Sequence, residues 1–252
     1  MEFGSLVDAA SAIFVFGGIA ALSVVMRLRP DGLRLAYELS LPLGLVGFLI
    51  GVIGMLAAES NPAQIAPGIA IAILTVVYAG AVRLFLSDTA SLTFPTEASP
   101  PGSKALGSAV VLAMMAWAMF AVSKGNIGIY WYPQAALLLG GVVVLVFVVG
   151  RALGDNYQTG WAGKVMTIGC LGFAIGVVAG LPQLENAEAL GPAIAFSFTS
   201  LLYALIAIIL GLLWSPTAMC APNGALSLGM GFAVAVTGAV LAVLVTLMMV
   251  LV

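Results

Sequence analysis

The sequence predicts an all-α integral membrane protein with about eight transmembrane helices, arranged as two parallel four-helix repeats. Its 252 residues are 63% hydrophobic and 7% charged, whereas soluble domains have roughly 45–50% apolar and about 25% charged residues. Eight apolar stretches are long enough to cross a bilayer, and the chain aligns with itself at a displacement of 125 positions. This composition excludes a disordered chain, a cytoplasmic enzyme and a nucleic-acid-binding protein. The chain has no histidine, so its composition also excludes mechanisms that need imidazole.

The eight predicted helices follow from the length of each apolar stretch, since a helix needs about 20 apolar residues to cross the hydrocarbon. A β-barrel would alternate apolar and polar residues along each strand, but Leu137–Val149 is apolar at every position. The polar stretch Ser87–Ser103 is rich in Pro, Ser and Thr and is interpreted as a linker. The predicted spans are approximately Ala9–Met26, Leu41–Ala58, Pro67–Leu86, Ala105–Val122, Tyr132–Gly150, Val165–Leu181, Pro192–Leu213 and Leu226–Leu251.

The basic residues predict the orientation of these spans, because cytoplasmic loops are enriched in Lys and Arg. With the N-terminus outside, Lys124 is the one base of eight that lies outside. We therefore expect a multi-pass protein of the cell inner (cytoplasmic) membrane with its N-terminus outside. The seven bases placed inside are Arg27, Arg29, Arg34, Arg83, Lys104, Arg151 and Lys164.

An internal repeat divides the chain into two halves of four spans, residues 1–123 and 124–252. Gly44–Leu86 aligns without a gap on Gly169–Gly211, and 13 of the 43 aligned positions are identical. The identities include glycines, a proline and a tyrosine, which apolar composition alone would not bring into one register. Because each half has an even number of spans, both halves have the same orientation, as in a parallel repeat.

The repeated unit is a glycine-rich span, a short outside loop and a span that begins with proline. The first half has GLVGFLIGVIG and then PGIAIAILTVVYAGAV, and the second has GCLGFAIGVVAG and then PAIAFSFTSLLYALIA. This helix pair resembles that of the MotA/TolQ/ExbB proton-channel family. The resemblance implies a ring of channel chains around a single-span partner helix whose aspartate carries the proton. It also implies that Thr75 and Ser200 match the family's path-lining threonine. Phe48 and Phe173 depart from the pattern, because they stand where the family has another hydroxyl.

Polar residues of the second motif helix are the candidates for an ion path. A hydroxyl in a span alternatively bonds the carbonyl of its own preceding turn, and a tyrosine alternatively supplies packing. The glycines of the first motif helix are candidates for close helix packing, because they lie three or four residues apart on one helix face, with Gly47–Gly51 and Gly172–Gly176 spaced by four. The path candidates are Thr75, Ser200, Tyr78, Tyr203, Ser197 and Thr199, and the packing candidates are Gly44, Gly47, Gly51, Gly169, Gly172 and Gly176.

None of the ten acids lies in the interior of a predicted span. A charge at mid-membrane is costly and therefore marks function where it occurs. We therefore expect this chain either to take the carboxylate from a partner or not to move protons. The leading hypothesis is a subunit of an oligomeric proton channel or motor complex with a single-span partner. The alternatives are a non-conducting scaffold subunit and, third, a small-solute secondary transporter.

No catalytic residues, metal ligands or cofactor are predicted, because the chain has no nucleophile–base pair and no metal-binding constellation. The two cysteines, Cys170 in a span and Cys220 in a predicted loop, are interpreted as unpaired. The expected partners are membrane lipid and further protein chains, as a homo- or hetero-oligomer, with no nucleic acid.

Overall fold

The structure of this protein is a computed structural model. The residues it describes are 9–25, 30–57, 65–88, 101–152, 161–180, 182 and 187–214.

Helices account for nearly all of the described residues, and none of these residues is in a strand. A π-helical turn, Ile13–Gly17, separates the first two helices, and a 3₁₀ turn, Ile127–Tyr130, precedes the sixth. The helices are α1 (Ala9–Ala12), α2 (Gly18–Val25), α3 (Pro30–Ala57), α4 (Ile65–Phe85), α5 (Pro101–Val122), α6 (Pro133–Ala152), α7 (Trp161–Gly180) and α8 (Ala187–Trp214).

Among the described residues, five helical segments are long and apolar enough to cross a membrane, which indicates a multi-pass membrane protein whose described part is all-helical. A sixth segment, Ala70–Phe85 within α4, is apolar but shorter. The predicted first span coincides with α1, the π-helical turn and α2 together, and the predicted span Leu226–Leu251 lies outside the described residues. The five long segments are Leu33–Leu56, Pro101–Val122, Ile127–Leu145, Trp161–Ala179 and Ile194–Trp214.

Two helices begin well before the positions that hydropathy predicted. Helix α3 begins at Pro30 rather than Leu41, because its first turns mix charged and apolar residues and still form helix. Helix α8 begins at Ala187, so Pro192 lies in its second turn and not at its start. Pro101–Ser103, predicted as the end of a linker, forms the first turn of α5.

Helices α3 and α8 form the centre of the bundle. The most extensive helix pairs are α3 with α4 and α7 with α8, and α3 also packs along α8. The apolar segment of α3 is almost wholly buried and that of α8 largely so, whereas α5 and α6 are mostly exposed. Helices α3 and α4 form one glycine-motif pair, and α7 and α8 form the other. The buried core therefore lies where these two pairs meet.

Candidate functional site

Helices α3 and α4, the first glycine-motif pair, are in close contact at two glycines of α3. A Cβ atom on Gly44 would clash with the Cβ of Ala79 on α4. A Cβ atom on Gly47 would lie 2.7 Å from Cγ2 of Thr75 and 3.0 Å from the ring of Phe14. Glycine is therefore required at both positions, because any side chain would push α4 away.

The second pair repeats this arrangement at positions 125 residues later. A Cβ atom on Gly169 would lie 2.5 Å from the Cβ of Ala204, and one on Gly172 would lie 2.9 Å from the Cβ of Ser200. These two contacts correspond one to one to those of Gly44 with Ala79 and of Gly47 with Thr75. Gly176 in turn lies against Ser197.

Thr75 and Ser200 lie in these tight interfaces, and they and Thr199 bond carbonyls of their own helices. Thr75 Oγ1 donates to the carbonyl of Ala72 at 2.8 Å. Thr199 Oγ1 donates to Ala195 at 2.7 Å and Ser200 Oγ to Phe196 at 3.1 Å. Such a bond to the preceding turn satisfies a hydroxyl without any external partner.

All side chains that are both polar and buried in the described part of the chain carry a hydroxyl and no charge. Ser11, on α1, donates to the carbonyl of Ile71 on α4 at 3.5 Å. Ser40 donates to Tyr37 within α3 at 2.7 Å. The described core therefore has no carboxylate to carry a proton. The buried serine and threonine residues are Ser11, Ser40, Thr75, Ser197, Thr199 and Ser200.

The two repeat-related tyrosines have different neighbours. The ring of Tyr78 packs against Phe16, with centroids 5.4 Å apart. Tyr203 instead bonds the connection between the two halves: its hydroxyl donates to the carbonyl of Tyr130 at 2.7 Å and accepts from the Tyr132 N–H at 3.2 Å. Tyr203 is therefore a structural link as well as a path candidate.

Tyr130 is a structural residue that the sequence interpretation missed. The sequence Tyr130–Trp131–Tyr132 is typical of an aromatic anchor at the membrane interface, but Tyr130 is buried and its hydroxyl donates to the carbonyl of Ile50 at 3.1 Å. The adjoining turn has a positive φ at Lys124 (51°) and at Gly125 (96°). This turn ends α5, and the Gly125 N–H bonds the carbonyl of Phe120. No sequence signal distinguishes a buried tyrosine here from an interfacial one.

Basic residues lie at the ends of α4 and α5 that were predicted to be cytoplasmic. The guanidinium carbon of Arg83 lies 4.3 Å from the centroid of the Tyr37 ring, a cation–π contact. Lys104 Nζ donates to the carbonyl of Trp214 at 2.8 Å, and Trp214 Nε1 donates to Ser108 at 3.0 Å. Lys104 therefore stabilises the C-terminal end of α8, where backbone carbonyls lack helical partners.

The two phenylalanines that replace hydroxyls take part in packing. Phe173 is buried and meets Phe198 edge to face, with centroids 5.5 Å apart. Phe48 is half-buried against the core. Among the described residues, no group of three or more His, Cys, Asp or Glu side chains is placed to hold a metal ion. Cys170 is a free thiol, and Cys220 lies outside the described residues.

Comparison with protein-family models, curated proteins and solved structures gives no match to this chain.

Proposed function

We propose that this chain is a non-enzymatic subunit of a proton channel or motor complex in the cell inner membrane, resembling the MotA/TolQ/ExbB family. In this proposal the chain is a duplicated unit of two four-span repeats, with its N-terminus outside. It forms an oligomer, and a separate single-span partner supplies the acid that carries the proton.

The observation that carries this proposal is the repeated helix pair. The contacts of Gly44 with Ala79 and of Gly169 with Ala204 are the same contact at positions 125 apart. A second contact is repeated in the same way: that of Gly47 with Thr75 recurs 125 positions later as that of Gly172 with Ser200. Equivalent contacts at equivalent positions support a duplication, and the residues involved are those that resemble the family motif.

The chemistry of the core supports the need for a partner. The buried polar side chains in the described residues are hydroxyls, which can relay a proton but do not carry a charge at neutral pH. A carboxylate within the membrane is the group that proton pathways use. Glu38 lies half-buried near the start of the apolar segment Leu33–Leu56, about five residues after Leu33. In this proposal a partner helix supplies the carboxylate at mid-membrane.

A second candidate, a non-conducting scaffold, is favoured by the bonding of the hydroxyls. Thr75 and Ser200 donate to their own helices and lie against Gly47 and Gly172, where the helices are in contact. In a scaffold these hydroxyls only complete the packing. In a channel they line the path once the complex is assembled.

Proton flux through the purified complex tests the leading proposal. The complex is extracted in mild detergent with whatever chains accompany it, reconstituted in proteoliposomes that contain a pH-sensitive dye, and driven by a potassium diffusion potential. We expect flux above that of empty vesicles, together with loss of flux when the acid of the accompanying single-span chain is changed to its amide. A well-folded complex with no flux above empty vesicles contradicts the channel proposal.

Hydroxyl substitutions distinguish the channel from the scaffold. Thr75→Val with Ser200→Ala removes both hydroxyls and largely keeps the side-chain volumes. For a channel we expect flux to fall about tenfold or more, since about 1.4 kcal/mol on a barrier changes a rate tenfold. Thr167→Val is the matched control, because Thr167 makes the same kind of bond, to Gly163 at 2.9 Å, on an exposed face. Normal assembly and function in the double variant would favour the scaffold.

A further inference from the structure

One face of α4 is exposed although its counterpart in α8 is buried. The α4 face carries Ile73, Val77, Gly80 and Leu84, which lie on one side of the helix at intervals of three and four residues. Leu84 is 73% exposed, and a Cβ atom on Gly80 would have nothing within 4 Å. The residues 125 positions later in α8, which are all buried, are Phe198, Leu202, Leu205 and Ile209.

The same difference appears on α7 when it is compared with α3. The exposed face of α7 carries Leu171, Ala174 and Val178, and Val178 is 64% exposed. The residues 125 positions earlier in α3, which are at most 2% exposed, are Val46, Leu49 and Ile53.

The neighbours of α8 indicate which helix buries most of these residues. Helix α8 meets α7 through Ser197, Ser200 and Ala204, and the ring of Phe198 also touches Phe173 of α7. The face with Leu202 and Leu205 is turned about 100° or more from the contact with α7. Helix α3 is the other long helix packed along α8. The exposed faces of α4 and α7 are therefore the two surfaces that would form a second contact of the α3–α8 kind.

We propose that a second copy of this chain covers these faces, with α7 of one molecule packed on α4 of the next. Within one chain α4 and α7 belong to different repeat units, so the described residues of each molecule expose one surface of each kind. A contact between two different surfaces is heterologous, and such contacts produce a closed ring when the rotation closes. The small residues Gly80 and Ala174 allow the helices to approach closely, as interfaces between membrane helices require.

The contact between the halves also gives the register of the proposed interface. The Tyr130 hydroxyl donates to the carbonyl of Ile50, and the Tyr130 carbonyl accepts from the Tyr203 hydroxyl, so Ile50 and Tyr203 lie within about one tyrosine length of each other. Helices α3 and α8 are antiparallel: the end of α3 at Gly54 meets the end of α5 at Val122, and the start of α5 meets the end of α8. Shifted by 125 positions, the register places residue 175 of one copy level with residue 78 of the next. Gly80 then faces Ala174, and Leu84 faces Leu171.

Disulfide cross-linking in native membranes tests the interface. Gly80→Cys and Ala174→Cys are introduced together in a chain whose own cysteines, Cys170 and Cys220, are changed to alanine. A disulfide needs Cα atoms about 4.4–6.8 Å apart. After mild oxidation we expect a reducible ladder of dimers, trimers and larger products. Each single variant should stay monomeric, and co-expression of the two single variants should give dimers and nothing larger.

Two further variants make the result decisive. Leu84→Cys with Leu171→Cys is an independent pair on the same faces, and a ladder from either pair supports the interface. Gly80→Cys with Leu112→Cys is the control, because Leu112 is exposed on α5, outside both faces. We expect at least a several-fold lower cross-linked fraction in the control. The proposal is overturned if both pairs stay monomeric, if they link only to a smaller chain, or if the control cross-links as well as they do.

This interface deepens the proposed function by giving its oligomer a contact surface, and the two can fail separately. Flux without cross-linking would leave the channel proposal standing and remove this interface. Cross-linking without flux would keep the interface and favour a scaffold.

Discussion

Gly169 lies so close to Ala204 that a methyl group on the glycine would be 2.5 Å from the methyl group of the alanine. Gly44 and Ala79, each 125 positions earlier, have the same relationship. The helices of both motif pairs are therefore held together at points where one partner has no side chain. In a membrane, where lipid is as apolar as the protein, such close packing is a main source of helix association.

This relationship predicts a compensating pair of substitutions. Gly169→Ala should lower the free energy of unfolding by about 1–3 kcal/mol, the usual cost of an overpacked site. Adding Ala204→Gly should restore most of that loss, because the remaining neighbours of the new Cβ, at 3.6 Å, are at ordinary contact distance. Denaturation in detergent measures the coupling between the two changes.

Gly140 provides the control for that prediction. It is exposed on α6, and a Cβ atom there would meet nothing within 4 Å. Gly140→Ala should therefore be neutral or slightly stabilising, since alanine favours helix over glycine by about 0.5–1 kcal/mol. Equal stabilities for Gly140→Ala and Gly169→Ala would show that the close contact has no energetic effect.

The hydroxyl of Tyr203 should contribute to stability through the connection between the halves. Tyr203→Phe removes two hydrogen bonds and leaves the Tyr130 carbonyl and the Tyr132 N–H without that partner. We expect a loss of about 1–3 kcal/mol, the penalty for leaving buried polar groups unpaired. Thermal unfolding in detergent measures it.

Tyr132→Phe is the matched control, because it keeps the Tyr132 N–H bond and removes a hydroxyl that makes no hydrogen bond to the described residues. We expect it to be neutral. If Tyr203→Phe is as stable as Tyr132→Phe, the hydrogen bonds of the Tyr203 hydroxyl do not contribute to the stability of the protein.

Much of the helical framework could be predicted from the sequence, because apolar runs in lipid have few alternatives to helix. The starts of α3 and α8 could not be predicted, because the amphipathic turns Leu33–Ser40 and the acidic start of α8 resemble loops in composition. The glycine contacts followed from spacing and from the repeat. The burial of Tyr130 did not, because its partner Ile50 is 80 positions away in sequence.

For the candidate path residues, too, some features could be predicted from the sequence and others could not. The sequence identified Thr75 and Ser200 as equivalent, and both lie against a glycine at equivalent positions. It did not determine whether their hydroxyls would face a path or their own helix, since a side-chain rotation decides that. The difference between Tyr78 and Tyr203 arises from their neighbours, Phe16 and the connection at Tyr130, which no local pattern contains.

Lys104 should stabilise the end of α8. Lys104→Met removes the bond to the Trp214 carbonyl and a positive charge near a helix C-terminus. We expect a loss of about 0.3–1 kcal/mol, reduced at high salt, as for other charges at helix ends. Lys124→Met, at an exposed turn, should have less effect. Equal losses in chemical denaturation would exclude a specific role for Lys104.

The two ends of α5 should lie on opposite sides of the membrane, with its start inside. Gly102 and Asn126 are exposed near these ends and suit labelling in a chain without native cysteines. A membrane-impermeant maleimide should label Asn126→Cys in intact cells and Gly102→Cys only after permeabilisation. The reverse pattern would contradict an outside N-terminus.

The proposed function requires this chain to work as one subunit of a larger membrane complex that contains a second, acid-bearing chain. Native mass spectrometry of the protein, extracted under mild conditions from its own membrane, tests this most directly. We predict a mass corresponding to several copies of this chain together with a smaller chain. A single chain, found alone in every mild detergent tried, would contradict the claim.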